Sequence, residues 1–148
     1  MFRRYVYMSK AADGVNEKYV ASFISIAQER NRSEELTGAL LYLDGYFLQV
    51  MEGPAEAAAN CMMRIMSDKR HHHIDVRETL DVDIRRFPKL WMALSHAGDV
   101  NREMLPAFNY EPGFPAAKFS AEKLQRVMVA LSLSAWPSDS GRIMRRVG

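Results

Sequence analysis

An Asp-Gly pair between two β-rich runs is the feature that most constrains the fold of this chain. Asp44 and Gly45 separate the run TGALLYL from the run YFLQVMEG. This dipeptide between strand-like segments is a strong signal for a two-residue β-hairpin turn. The turn also fixes the pairing register, so Leu40 is predicted to pair with Gln49. The centre of the chain is therefore predicted to be an antiparallel hairpin.

Strand-like and helix-like periodicities surround this hairpin. The further predicted elements are strands at 2–9, 74–84 and 89–95, and helices at 16–30 and from Pro54 to about His71. This order, β-α-β-β-α-β-β, predicts an α+β ferredoxin-like sandwich. Two helices are expected to pack on one face of a mixed five-stranded sheet, and C-terminal helices are expected to follow.

The last third of the chain differs from this patterned body. Glycines and prolines predict loops and a short helix after residue 96, and Ser120 is placed to cap a last helix. Leu124 and Val127 belong to an apolar stripe of that helix, which should be buried on the body or in a partner. We therefore expect two parts: a domain at 1–95 and a helical extension at 96–148.

Composition narrows the class of protein. With 48% hydrophobic and 26% charged residues, the 148-residue chain is typical of a globular domain. A net charge of +2 gives no reason to expect a nucleic-acid partner. No apolar run is long enough to cross a membrane, and the start MFRRYVYMSK lacks a signal peptide, so a cytoplasmic location is expected. Cys61 is the only cysteine, which excludes an internal disulfide.

Three polar or aromatic residues fall at positions predicted to face the core. The hairpin register puts Gln49 on the apolar face of its strand, and Asn31 extends the apolar stripe of the first helix. Each is either held for a polar ligand or purely structural: Gln49 as a register-fixing residue, Asn31 as a left-handed helix end. Tyr7 alternates with apolar neighbours and is either functional or an ordinary core tyrosine.

The second predicted helix carries a polar set. Cys61, Arg64, Asp68 and His71 are spaced 3, 4 and 3, so they are predicted to share one helical face. This face is either the polar wall of a groove between the helices or an ordinary surface with an Arg-Asp pair. Side chains of the consecutive residues 71–73 diverge, so we expect no metal site there.

Five segments together resemble one known family. YVYMS, NRSEELTG, GYFLQVMEG, RIMSDKRH and RFPKLWMAL occur in order, at spacings similar to those of BLUF (blue-light-using flavin) domains. The resemblance covers about residues 1–95. It implies FAD, with FMN or riboflavin as alternatives, bound between the two helices.

The resemblance also implies roles for individual residues. Tyr7 corresponds to the photoactive tyrosine, and Gln49 to the glutamine between that tyrosine and the flavin. The other flavin-binding positions implied are Asn31, Arg64, Asp68 and His71, with Arg30 and Ser9 flanking them.

The last predicted strand departs from the family pattern, which is usually Phe-x-x-Trp-x-Met. Counted from Phe87, Met92 fits and is the implied photoactive residue of this strand, but Leu90 takes the tryptophan position and Trp91 comes one place late. Strand alternation puts Trp91 on the face opposite Met92. Whether Leu90 or Trp91 lies beside the flavin stays open.

The expected function is a blue-light photoreceptor without enzyme activity of its own. Light-driven electron and proton transfer from Tyr7 would rearrange the hydrogen bonds of Gln49. The signal would pass through the last strand and the C-terminal helices to an unknown downstream signalling protein or within a homo-oligomer. The alternatives are a flavin-dependent redox enzyme without photosensing, and a non-photoactive interaction module.

Overall fold

The computed structural model describes residues 1–43, 45–88, 93–96 and 120–126. The strands are β1 (Phe2–Ala11), β2 (Thr37–Leu43), β3 (Tyr46–Pro54), β4 (His71–Val82) and β5 (Ala93–His96), and the helices are α1 (Glu17–Ser33) and α2 (Ala55–Ser67). Residues 121–126 are also helical. The predicted strand positions 89–92 and the rest of the predicted C-terminal helices lie outside the described residues.

The strands form one sheet in the order β4-β1-β3-β2-β5. β4, β1, β3 and β2 are antiparallel neighbours, and the short β5 pairs parallel to β2. The α+β class, with an antiparallel sheet and packed helices, is confirmed. The hairpin register is also confirmed, since Leu40 pairs with Gln49. Within the described part of the chain, no helix has the length and apolar character needed to span a membrane.

One glycine of the hairpin permits a close approach between its strands. Gly38 on β2 has a φ of 149°, and a Cβ atom built there would lie 1.9 Å from the carbonyl oxygen of Val50 on β3. Any larger residue would need the backbone of β3 to move. The site residues of β3 are therefore placed partly by the absence of a side chain at Gly38.

α1 is longer at its C-terminal end than the sequence pattern indicates. Asn16 caps its start, accepting a hydrogen bond from the backbone N–H of Tyr19 at 2.9 Å. The helix continues to Ser33, so Asn31 lies inside its last turn. The left-handed residue comes later, at Glu35 with a φ of 57°, which excludes the helix-end interpretation of Asn31.

The prediction that α2 continues to about His71 is wrong. The helix ends at Ser67, and Asp68 is already extended, with φ −76° and ψ 122°. The Asp68 carboxylate accepts a hydrogen bond from the backbone N–H of Arg70 at 2.9 Å, and such local bonds compete with helix continuation. His71 begins β4 instead. The four polar residues predicted on one helical face therefore come from a helix, a turn and a strand.

Both faces of the inner strands β1 and β3 are buried, whereas the edge strand β4 is more exposed. The two helices lie against the face that carries Tyr7 and Gln49. The opposite face, called the far face below, carries Val6, Leu48 and Val50, which are fully buried. Leu124, in the helical segment 121–126, belongs to the same buried core and is itself fully buried.

Candidate functional site

A pocket opens between α1, α2 and the face of the sheet that they cover. Its lining comes from α1 (Phe23, Ile24, Ala27, Asn31), the sheet (Tyr7, Leu40, Phe47, Gln49), α2 (Cys61, Ile65) and the turn into β4 (Asp68, Arg70, His71). Most of these side chains are apolar, and the polar ones come from three separate segments. Such a mixture suits a largely apolar ligand with polar groups along one edge.

Tyr7 and Gln49 are brought together by strand pairing. They are direct register partners on β1 and β3, and both are buried, with 4% and 6% of their surface exposed. The Tyr7 hydroxyl donates a hydrogen bond to Oε1 of Gln49. Burial, followed by the nearby Cys61 and Asp68, raises the pKa of Tyr7 above that of an ordinary tyrosine. The phenol is therefore even less able to ionise near neutral pH than an ordinary tyrosine.

Asn31 presents a buried amide to the pocket. It is 7% exposed, and none of the residues that the structure describes is hydrogen-bonded to its side chain. A buried amide without a partner costs about 1–3 kcal/mol. The side-chain amide is therefore able to bind a ligand in the pocket, whereas the backbone carbonyl of Asn31 already accepts a hydrogen bond from the N–H of Leu36 at 2.8 Å.

Arg70 is a pocket residue that sequence reasoning missed. Its Nε lies 2.9 Å and 3.0 Å from the two carboxylate oxygens of Asp68, and its guanidinium lies 4.0 Å from the ring centre of Phe23. Hydrogen bonding to Arg70 lowers the pKa of Asp68, although partial burial opposes the shift. The sequence signal for this turn was the Asp-x-Arg spacing, because an aspartate side chain can accept a hydrogen bond from the backbone N–H two residues later.

His71 lines the pocket and is fixed at both ring nitrogens. Nε2 lies 2.6 Å from the carbonyl oxygen of Ile65, and Nδ1 lies 2.7 Å from Oγ of Ser9. Because a carbonyl only accepts, Nε2 carries the hydrogen in this arrangement and Nδ1 accepts from the Ser9 hydroxyl. Ser9 therefore lies behind His71, outside the lining, and orients the imidazole beside Tyr7.

Two further predicted site residues, Arg64 and Arg30, are also absent from the pocket lining. Nη2 of Arg64 lies 2.8 Å from Glu34, and Nε of Arg30 lies 3.3 Å from the other oxygen of the same carboxylate. Partial burial acts to raise the pKa of Glu34, but hydrogen bonds from both arginines hold it below its usual range. Arg64 lines a neighbouring cavity with Glu34 and Asn60. Met92, the remaining predicted site residue, lies outside the described residues, as do Leu90 and Trp91.

Comparison of this sequence with known proteins identifies a matching family and several relatives. The sequence model of the family described as sensors of blue light using FAD, BLUF, matches residues 2–93. Subunit beta of the photoactivated adenylate cyclase of Euglena gracilis is 30% identical over 102 residues, which are 69% of this chain and 11% of that protein. The blue light- and temperature-regulated antirepressor BluF of Escherichia coli (strain K12) is 33% identical over 94 residues, 64% of this chain and 23% of that protein. The chain thus spans less than a quarter of the length of these relatives.

Solved structures agree with this fold. The photo-activated state of BlsA has a TM-score of 0.75 at 22% identity, covering 96% of this chain and 100% of that chain. BlrB, a BLUF protein in its dark state, has a TM-score of 0.74 at 23% identity, with 87% and 96% covered. These two likenesses concern the fold, and the match over residues 2–93 concerns the sequence itself. The chain therefore belongs to the BLUF family of flavin-based blue-light sensors.

Proposed function

We propose that this protein is a blue-light photoreceptor whose flavin lies in the pocket between α1 and α2. The observation that carries the proposal is the hydrogen bond between Tyr7 and Gln49. Both residues line the same pocket as the buried amide of Asn31. A phenol, an amide that it touches and a second amide with no partner among the described residues form an arrangement suited to a redox-active ring with a polar edge.

The lining fits an isoalloxazine ring. Ile24, Ala27 and Ile65 would supply apolar walls for a flat ring, while Asn31 and Gln49, which line the same pocket, would bind its polar edge. Asp68, His71 and Arg70 would bound the ring on the side of β4, and Arg64, Arg30 and Ser9 would support the site from outside the lining.

FAD is the proposed form of the cofactor. FMN and riboflavin carry the same ring and are alternatives. A similar solved structure, BlrP1 of Klebsiella pneumoniae, was determined with FMN and cyclic diGMP, and has a TM-score of 0.60 at 26% identity, with 65% of this chain covered.

The protein's own residues would hold and move one proton. A bound flavin supplies blue-light absorption and, when excited, a strong electron acceptor near the phenol. Like any tyrosine at neutral pH, Tyr7 is protonated in the dark, and burial raises its pKa further. Loss of an electron makes a phenol far more acidic, so the Tyr7 proton would pass along the existing hydrogen bond to Oε1 of Gln49. With Oε1 protonated, the Gln49 amide would release one of its N–H protons on the pocket side to the group that accepted the electron, and it could then rotate or keep this tautomer, so that its donor and acceptor positions are exchanged.

The output would leave through the last strand and the C-terminal extension at 96–148. Met92 is proposed as the sensing residue of that strand, and the domain at 1–95 as the sensor. The receiver would be a downstream signalling protein in the cytoplasm, or a second copy of the chain in a homo-oligomer. The Euglena relatives are photoactivated cyclase subunits, and a comparable division into sensor and effector supports a sensing role for this chain.

Absorption spectroscopy of the purified protein tests the proposal. The protein should be yellow, with flavin close to equimolar with protein, and blue light should produce a small red shift that reverts in the dark. A protein that stays colourless after refolding with FAD, or a flavin spectrum that light leaves unchanged, would contradict the proposed function.

A further inference from the structure

A buried carboxylate on the far face binds the segment that leads to β5. Glu52 on β3 is fully buried and accepts hydrogen bonds from Nε of Arg4 at 2.9 Å and from the backbone N–H groups of Arg86 and Phe87, each at 2.8 Å. Three donors on one buried carboxylate fix the path of residues 86–87 across the sheet.

The helical segment 121–126 is tied to the same place by a buried amide. Gln125 is fully buried; its Oε1 accepts from Nη1 of Arg86 at 2.8 Å, and its Nε2 donates to Glu78 on β4 at 3.2 Å. Arg4 lies 3.6 Å from the same oxygen of Glu78. A closed polar network therefore joins β1, β3, β4, residue 86 and the helical segment.

This network is more sensitive to small displacements than an apolar contact would be. Removing one partner from a buried charge or amide leaves the other unpaired, which costs more than the bond itself contributes. Low local polarity also couples the bonds to one another. A modest change in strand position is thus able to weaken the hold on the helical segment.

The network and the photoactive pair are carried by the same two strands. β1 and β3 pair Tyr7 with Gln49 and also Arg4 with Glu52. The two pairs are three residues apart along each strand, about 10 Å, and they project from opposite faces. A change in the Tyr7–Gln49 pair that shifts β1 against β3 therefore acts directly on the Arg4–Glu52 pair.

We propose that Glu52 and Gln125 are positioning residues of the light output. In the dark they hold residues 86–87 and the helical segment 121–126 on the far face; after light, the rearranged Gln49 side chain loosens this hold through β3, and the helical segment is released. This route runs through β3 and is separate from Met92. It rests on the proposed light response.

Hydrogen exchange of the full, flavin-loaded chain tests the route. In the wild type, light should give the red shift and should speed amide exchange in peptides covering 121–126. Gln125→Ala should keep the red shift but raise dark exchange there by about tenfold or more, because the side-chain bonds to both Arg86 and Glu78 are lost. The ratio of light to dark exchange should then fall towards one. Glu52→Gln, which keeps the shape and loses the charge, should act in the same direction and serves if Gln125→Ala does not fold.

Glu122→Ala is the matched control. Glu122 is on the same helical segment and also lies near Arg86, at 3.2 Å, but its side chain is 52% exposed. This variant should keep the light-to-dark ratio of the wild type.

Two results would overturn the inference while leaving the proposed function intact. One is a wild type that shows the red shift but no light-dependent exchange in 121–126. The other is a Gln125→Ala variant that exchanges faster by the same factor in dark and light, since that marks a purely structural residue. A wild type without any red shift would instead overturn the proposed function, and this inference with it.

Discussion

The Tyr7 hydroxyl is hydrogen-bonded to Oε1 of Gln49, so the amide oxygen, and not the amide nitrogen, faces the phenol. The pairing of the two residues in the β1–β3 register makes this contact possible. Both side chains are nearly fully buried, so water does not compete for the bond. The structure thus contains a proton donor and its acceptor already in contact, at the wall of the pocket.

Replacing Gln49 by leucine should leave flavin bound and abolish the red-shifted state. Leucine is close to glutamine in size, but it cannot accept the Tyr7 proton or exchange donor and acceptor positions. Difference absorption before and after blue light is the measurement. A shift of normal amplitude in Gln49→Leu would show that the amide is not the relay.

Replacing Asn31 by alanine should weaken flavin binding by about tenfold, because one or two buried hydrogen bonds to the ring edge would be lost. Asn60→Ala is the matched control, since Asn60 is exposed on α2. Titration of apoprotein with FAD measures both dissociation constants. Equal affinity of the two variants would remove Asn31 from the flavin site.

The Asp68–Arg70 pair should make stability fall at acidic pH. Because pairing lowers the pKa of Asp68 in the folded chain, its contribution is fully present above about pH 4, the ordinary pKa of an aspartate, and is lost as the pH falls through the lower folded value. Asp68→Asn should therefore lower the free energy of unfolding at pH 7 by up to about 1 kcal/mol and flatten its fall below pH 4.

Asp75→Asn provides the comparison for Asp68→Asn. Asp75 lies 3.3 Å from Arg77, and its side chain is 43% exposed. Asp75→Asn should therefore change the free energy of unfolding in urea less than Asp68→Asn does, both at pH 7 and below pH 4. If both variants retain the acid-dependent loss of the wild type unchanged, the pair is not its source.

Gly38→Ala should destabilise the protein by about 3 kcal/mol or more, because the new methyl group would collide with the backbone of β3. Gly14→Ala is the control: its φ is 86°, but nothing lies within 4 Å of the position that a Cβ atom would take there, so only about 1–2 kcal/mol of backbone strain is expected. Denaturant unfolding measures both. Equal losses of unfolding free energy in the two variants would mean that the backbone of β3 moves aside at little cost to accommodate a methyl group at Gly38.

The parts of the fold that local rules determine could be predicted from the sequence. The Asp-Gly turn determined the register that places Gln49 on the covered face. Alternation along the first strand put Tyr7 opposite Val6 and Met8, and the β1–β3 pairing then brings it to the side of Gln49. Helical periodicity located α1 and brought Asn31 to the edge of the buried stripe. Each of these inferences depends on residues close together in the chain.

The parts of the fold that depend on competing hydrogen bonds, or on contacts between residues distant in sequence, could not be predicted. The end of α2 is decided by the Asp68 carboxylate bonding the Arg70 backbone, which periodicity alone does not detect. Arg64 donates a hydrogen bond to Glu34, which is 30 residues earlier in the chain, and does not reach the pocket lining. The burial of Glu52 requires Arg4, 48 residues earlier, and backbone donors more than 30 residues later.

The most direct test of the account is the light-minus-dark absorption spectrum of Tyr7→Phe beside that of Tyr5→Phe. Both tyrosines lie on β1 and are buried, but only Tyr7 lines the pocket and bonds Gln49. Phenylalanine preserves the ring and removes the transferable proton. Both variants should bind flavin, but Tyr5→Phe should keep the reversible red shift and Tyr7→Phe should lose it. A full-amplitude red shift in Tyr7→Phe would contradict the central claim.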